Sequence, residues 1–273
     1  MSVRAAFDTA RAEGRSVLIG YLPAGFPDVP GSIEALTTMV EAGCDVIEVG
    51  LPYTDPVMDG PTIQAAAQQA LDGGARTADV LRTVEAVAAT GTPTVVMTYW
   101  NPVEAYGVER FATDLASAGG AGLITPDLTP DFAPEWIAAA DERDLDKIFL
   151  VAPSSTDERI DFTVSASRGF VYATAVMGVT GARTTTSDLA GPLVARTRAA
   201  VERQGTGLPI GVGLGVSNGE QAAAVAAHAD GVIVGSAFVR TLLDHADDRA
   251  AGLKALRVLT EDLARGVRVR DAS

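Results

Sequence analysis

Glu48 and Asp59 are the two side chains through which chemistry first becomes readable in this sequence. Glu48 stands inside Val46-Ile47-Glu48-Val49-Gly50-Leu51, an apolar, β-branched run without helical period. That pattern predicts a strand covered on both faces. An unpaired carboxylate in such a strand costs several kcal/mol or takes up a proton. After Leu51 the chain enters a loop rich in proline and acid, which ends at Asp59-Gly60-Pro61 before a predicted helix. One carboxyl thus sits on a buried strand and a second on the loop leaving that strand's carboxyl end. Plainer roles exist for each taken singly. Glu48 could be a structural carboxylate held by an arginine or by backbone amides. Asp59, ahead of Gly60, reads alone as a turn or helix-cap residue. Their pairing is what points to proton chemistry.

The elements that must position this pair alternate along the whole chain. Strands are predicted at 17–22, 46–51, 94–99, 122–125, 147–151, 170–175, 209–213 and 231–235. Helices are predicted between them near 32–42, 62–71, 77–89, 109–118, 133–143, 157–167, 188–203 and 218–228. Ser32 is a plausible N-cap for the first of these. A leading helix over 3–12, with Val3, Ala6, Phe7 and Ala10 at helical spacing, is expected to plug one end of the sheet. A longer helical tail spans about 237–265. Strict βα alternation of this kind predicts one (β/α)8 TIM barrel over residues 1–273, with its site on the loops at the strands' carboxyl ends. An open doubly wound sheet would carry a glycine-rich dinucleotide fingerprint after its first strand, and that loop reads Pro23-Ala24-Gly25-Phe26-Pro27.

Three glycine-bearing turns follow the sixth, seventh and eighth strands: Gly178-Val179-Thr180-Gly181, Gly213-Leu214-Gly215 and Gly235-Ser236. Loops at these places in a barrel often hold phosphate through backbone N–H groups and a helix N-terminus. Glycine admits the oxyanion where a Cβ would block it. Ser236 adds a hydroxyl donor, and Ser217 is a candidate cap for the helix after the seventh strand. The stretch 177–187, rich in glycine and threonine, suits either a mobile lid or an ordinary long surface loop.

Composition narrows the partners. The 21 Lys and Arg against 35 Asp and Glu leave −14, which argues against nucleic acid and anionic membranes. A phosphorylated ligand must therefore be held by local donors. The single cysteine, Cys44, permits no internal disulfide, and the two histidines, His228 and His245, fall in helical patterns apart from other ligand types, so neither a metal nor a cofactor is expected. Residues 1–14 hold no apolar signal region, and no run approaches the ~18 residues of a membrane span. A cytoplasmic protein is expected.

The block from Glu48 through Tyr53-Thr54-Asp55-Pro56 to Asp59-Gly60-Pro61-Thr62-Ile63-Gln64 resembles the signature of the tryptophan synthase alpha subunit family. The likeness continues in order through Met97-Thr98-Tyr99-Trp100-Asn101-Pro102, Asp127, Tyr172 and the three glycine turns. It implies retro-aldol cleavage of indole-3-glycerol phosphate to indole and glyceraldehyde 3-phosphate. Under it, Glu48 protonates indole C3, and Asp59, ionised, accepts the indole N–H. Tyr21, Met97, Ile124, Leu150 and Leu214 would form the indole slot, with Tyr172 and Thr180 also against the substrate. Gly181, Gly213, Gly235 and Ser236 would hold the phosphate. A beta subunit is implied as partner in an α2β2 complex, docked on the loops carrying Pro52 to Asp59 and Asn101-Pro102. The sequence departs from some members at Ala175-Val176-Met177, where they carry Ser-Arg, and at the bulky Trp100.

Overall fold

The computed structural model describes residues 2–174 and 186–268. The chain runs α1 (Val3–Ala12), β1 (Val17–Pro23), α2 (Val29–Glu41), β2 (Val46–Gly50), α3 (Pro61–Asp72), α4 (Thr77–Ala88), β3 (Thr94–Met97), α5 (Trp100–Tyr106) and α6 (Val108–Ser117). It continues through β4 (Gly122–Thr125), α7 (Pro134–Glu142), β5 (Asp146–Val151), α8 (Asp157–Ala166), β6 (Val171–Thr174), α9 (Thr186–Gln204), β7 (Ile210–Gly213), α10 (Gly219–Ala226), β8 (Gly231–Val234), α11 (Ser236–Leu243) and α12 (Arg249–Gly266). Each strand pairs in parallel with the next, and β8 returns to β1 to close the barrel.

The strands are largely apolar because both of their faces are covered. Every residue of β2, β4 and β8 is buried. Outward side chains such as Ile47, Val49 and Val96 pack with the helix layer, in a cluster that includes Trp136, Phe149 and Phe238. Inward ones form a second cluster with Val17, Ile19, Val46, Val95, Ile148 and Phe170. The leading helix plugs this interior as expected. Val3, Phe7 and Ala10 of α1 join the inner cluster, and the Phe7 ring lies 5.6 Å from that of Phe170. The first N–H of α1, at Val3, donates to buried Asp146 Oδ2 at 3.0 Å, and Arg168 Nε donates to Oδ1 of the same carboxylate at 3.2 Å. One end of the barrel is thereby sealed, and the strands' carboxyl ends are left for the site.

Three local expectations are corrected. α2 starts at Val29, not Ser32. Asp28 caps it by accepting from Gly31 N–H at 2.6 Å, while the Ser32 hydroxyl accepts from Gly25 N–H at 3.0 Å and donates to Val29 O. Pro30, within the first turn, needs no N–H there and therefore does not delay the helix. β3 ends at Met97, and residues 100–106 form a helix the pattern did not announce. Pro102 sits in its first turn, and the Trp100 N–H is satisfied by the Asp127 carboxylate at 3.0 and 3.1 Å. The tail is two helices, with a break before α12 where Asp248 accepts from Ala251 N–H. The stretch 177–187 falls mostly outside the described residues. None of the described helices is long and apolar enough to cross a membrane.

Candidate active site

A cavity of about 740 Å³ opens at the carboxyl ends of the strands. Glu48 reaches it from the middle of β2, in register with Tyr21 on β1, and both side chains line the cavity. Asp59 reaches the same cavity from the loop ahead of α3. The two carboxyls that the sequence set on a strand and on its following loop therefore face a common space.

Their environments differ. Glu48 is fully buried, and neither carboxyl oxygen has a hydrogen-bond partner among the described residues. Burial alone pushes its pKa up to about 8. The neutral acid is the form such a site favours, because no described residue nearby stabilises the anion. Asp59 is half-buried, and burial raises its carboxyl above the ordinary range. The Tyr99 hydroxyl opposes that rise by donating to Oδ1 at 3.0 Å. Tyr99 is itself fixed, since its hydroxyl accepts from Met58 N–H at 3.0 Å and its ring lies 5.5 Å from that of Tyr53. Gln64 Nε2 donates to the Asp59 carbonyl at 2.8 Å, which ties the loop to the first turn of α3.

Two more tyrosines form the wall between the acids and the glycine turns. Burial, then the charges of Asp59 and Glu48, raise the Tyr21 phenol. Burial, then Glu48 and Tyr21, raise that of Tyr172. Both stay protonated, as hydroxyls. Their rings explain glycines that the sequence assigned only to anion access. A Cβ at Gly213 would stand 2.5 Å from the Tyr172 hydroxyl oxygen, and one at Gly235 would stand 3.2 Å from Tyr21 Cδ1. Gly50 makes the same room beneath the Tyr21 phenol.

Of the other residues picked from sequence, Met97, Leu214, Gly213, Gly235 and Ser236 line the cavity. Gly235 and Ser236 sit where α11 begins, so its free N–H groups face this end of the cavity. Ile124 and Leu150 are not part of the lining. Both pack into the barrel's interior cluster, where Ile124 is fully buried. Thr180 and Gly181 lie outside the described residues. Ser217 lines the cavity but caps nothing. Asn218 caps α10 by accepting from Gln221 N–H, and Ser217 instead donates to Gln221 Oε1. Among the described residues, no group of three or more His, Cys, Asp or Glu is gathered as a metal site.

Sequence reasoning gave no role to Tyr99, and placed Gly215 only within a glycine turn for phosphate. Tyr99 ordinarily reads as core, and the parallel pairing of β2 with β3 brings it to Asp59. Its position just past the end of a barrel strand was the available signal. Gly215 lines the cavity with φ +67°, a left-handed conformation that glycine alone adopts without strain.

Comparison with known proteins agrees with the geometry. The family described as Tryptophan synthase alpha chain matches residues 7–268. A tryptophan synthase alpha chain of Salinispora arenicola (strain CNS-205) is 65% identical over 263 residues, covering 96% of each chain. One from Mycobacterium marinum (strain ATCC BAA-535 / M) is 59% identical over 97% of this chain and 94% of its own length. A crystal structure of Mycobacterium tuberculosis tryptophan synthase superposes with a TM-score of 0.89 at 57% identity, covering 98% of each chain. The tryptophan synthase subunit alpha of Legionella pneumophila str. Paris gives 0.83 at 29% identity, again over 98% of each.

Proposed function

The chain belongs to the tryptophan synthase alpha chain family, and from that premise we propose that its reaction runs between Glu48 and Asp59. The family's activity is a lyase step of tryptophan biosynthesis, the aldolase-type cleavage of indole-3-glycerol phosphate to indole and glyceraldehyde 3-phosphate. Breaking the bond at indole C3 requires a proton on that carbon, charge spread to the ring nitrogen, and loss of a proton from the neighbouring side-chain hydroxyl. Glu48, held neutral by burial, gives its proton to C3. The ring then carries positive charge, which the Asp59 carboxylate stabilises by accepting a hydrogen bond from the indole N–H. As the C3–side-chain bond breaks, the Glu48 carboxylate takes the hydroxyl proton, and the acid is regenerated. Each acid–base role contributes about 10²- to 10⁴-fold.

Tyr21, Met97, Tyr172 and Leu214 flank the ring, and the N-terminus of α11 with Gly213, Gly235 and Ser236 takes the phosphate. We assign Thr180 and Gly181 to substrate and phosphate on the family pattern. Holding the phosphate fixes the scissile bond between the two acids. The observation that carries this reading is a fully buried Glu48, without a hydrogen-bond partner among the described residues, facing the same cavity as Asp59.

An alpha chain of tryptophan synthase implies a beta-subunit partner. We further propose an α2β2 assembly that docks through the loop from Pro52 to Asp59 and through Asn101-Pro102. Val57 and Met58 support this, being large apolar side chains 80% and 53% exposed beside the cavity mouth. The closed barrel and the family match over 7–268 support one domain across the chain, and we propose that it works in the cytoplasm as a biosynthetic enzyme.

Asp59→Asn tests the assignment of the second acid. It keeps the Tyr99 contact but loses the charge, and indole release is expected to fall at least ~100-fold. Wild-type turnover in that variant would return Asp59 to the role of a turn residue.

A further inference from the structure

The substrate brings a phosphate into a cavity that already holds two acids, so the charges facing it matter. Among the described residues lining the cavity, the one Lys or Arg side chain is Arg240, on α11. It follows Ser236 by one helical turn, and side chains four apart lie on one helix face. Long helical side chains lean back towards the N-terminus, which brings the guanidinium of Arg240 towards the turn of Gly235 and Ser236. Arg240 forms an ion pair with none of the described carboxylates, although most of the described cations are paired. Its Nη2 donates instead to the Thr62 hydroxyl at 2.7 Å, from the first turn of α3 across the cavity mouth. In a chain of net charge −14 an arginine left to a neutral hydroxyl keeps its charge available to a ligand.

We propose that Arg240, steered by Thr62, is a specificity residue that meets the substrate's phosphate at the rim above Ser236 and selects doubly charged phosphate esters. The remaining N–H groups of the guanidinium suit a phosphate's oxygens, and a planar fork does this better than an ammonium. The backbone donors of Gly235 and Ser236 hold the same group from below. This inference rests on the phosphate end assigned above.

The test measures binding of two probes by titration calorimetry on the full chain with its beta partner: glycerol 3-phosphate, which has the charged half of the substrate, and indole, which lacks it. Arg240→Gln is expected to weaken glycerol 3-phosphate about 10- to 30-fold and leave indole within about twofold. Its KM for indole-3-glycerol phosphate is expected to rise with kcat within about threefold, as loss of uniform binding requires. Arg240→Lys is expected to lose about threefold, and Thr62→Val about two- to fivefold, in glycerol 3-phosphate affinity. Equal affinity of wild type and Arg240→Gln for glycerol 3-phosphate would overturn the inference while leaving the phosphate end intact. Should the Gln variant not fold, undiminished affinity in both Arg240→Lys and Thr62→Val would overturn it equally. Failure of the wild type to bind glycerol 3-phosphate would instead remove the phosphate end itself.

Discussion

At the scale of single residues, the two acids differ in what surrounds them, and that difference divides their work. Glu48 has burial and no hydrogen-bond partner among the described residues, whereas Asp59 has the Tyr99 hydroxyl and a half-open loop. The cost of Glu48 to the fold follows from the same facts. Its pKa is about 8 in the folded chain against an ordinary 4.5, so between those values the folded state keeps a proton that the unfolded state releases. The neutral acid is fully compatible with the fold below pH ~4.5, and stability is lost as pH rises towards 8. Glu48→Gln, which cannot ionise, is expected to be more stable than wild type by about 1–3 kcal/mol at pH 8, with the gain vanishing near pH 5. Thermal melts across that range check it, and a gain independent of pH would contradict the assignment of burial as the cause. The same titration would remove the acid form in alkaline solution, so kcat is expected to decline as pH passes about 8.

At the scale of elements, the cavity is shaped by tyrosines on strands packed against glycines on neighbouring strands. Tyr172 on β6 leans over Gly213 at the end of β7, and Tyr21 on β1 leans over Gly50 on β2 and Gly235 after β8. A methyl group at Gly213 collides with the Tyr172 hydroxyl, whereas one at Gly235 presses less closely on Tyr21. Gly213→Ala is therefore expected to raise KM at least ~10-fold and to destabilise by about 1–3 kcal/mol, with Gly235→Ala milder in stability. The reverse order in thermal melts would refute this packing. Much of the scaffold was legible because apolar, β-branched strands alternate with glycine-stopped helices, and both acids stood out by type and place. The tyrosine–glycine pairs were not legible, since each joins residues far apart in sequence and depends on strand register. α5 was missed because Pro102 reads as a breaker unless it is known to lie in a first turn. Ile124 was placed in the slot by the family pattern, and its side chain packs into the interior cluster that also holds Met97 and Tyr172 of the cavity lining.

At the scale of the whole molecule, a barrel sealed at one end by α1 presents its chemistry only at the other. Phe7 is 2% exposed and packs against Phe170 in the interior plug, on the side away from the acids. Phe7→Ala is expected to cost about 3–4 kcal/mol of stability and leave KM within about twofold, by urea unfolding and steady-state kinetics. A large KM change there would mean that floor and site are coupled. The net charge of −14 places phosphate binding on local donors, which is where the N-terminus of α11 and Arg240 stand. The central claim is that a proton held by Glu48 starts the cleavage. Its most direct test is indole release from indole-3-glycerol phosphate by Glu48→Gln in the presence of the beta chain. The account predicts a fall of at least ~100-fold with glycerol 3-phosphate binding retained, and turnover near that of the wild type would contradict it.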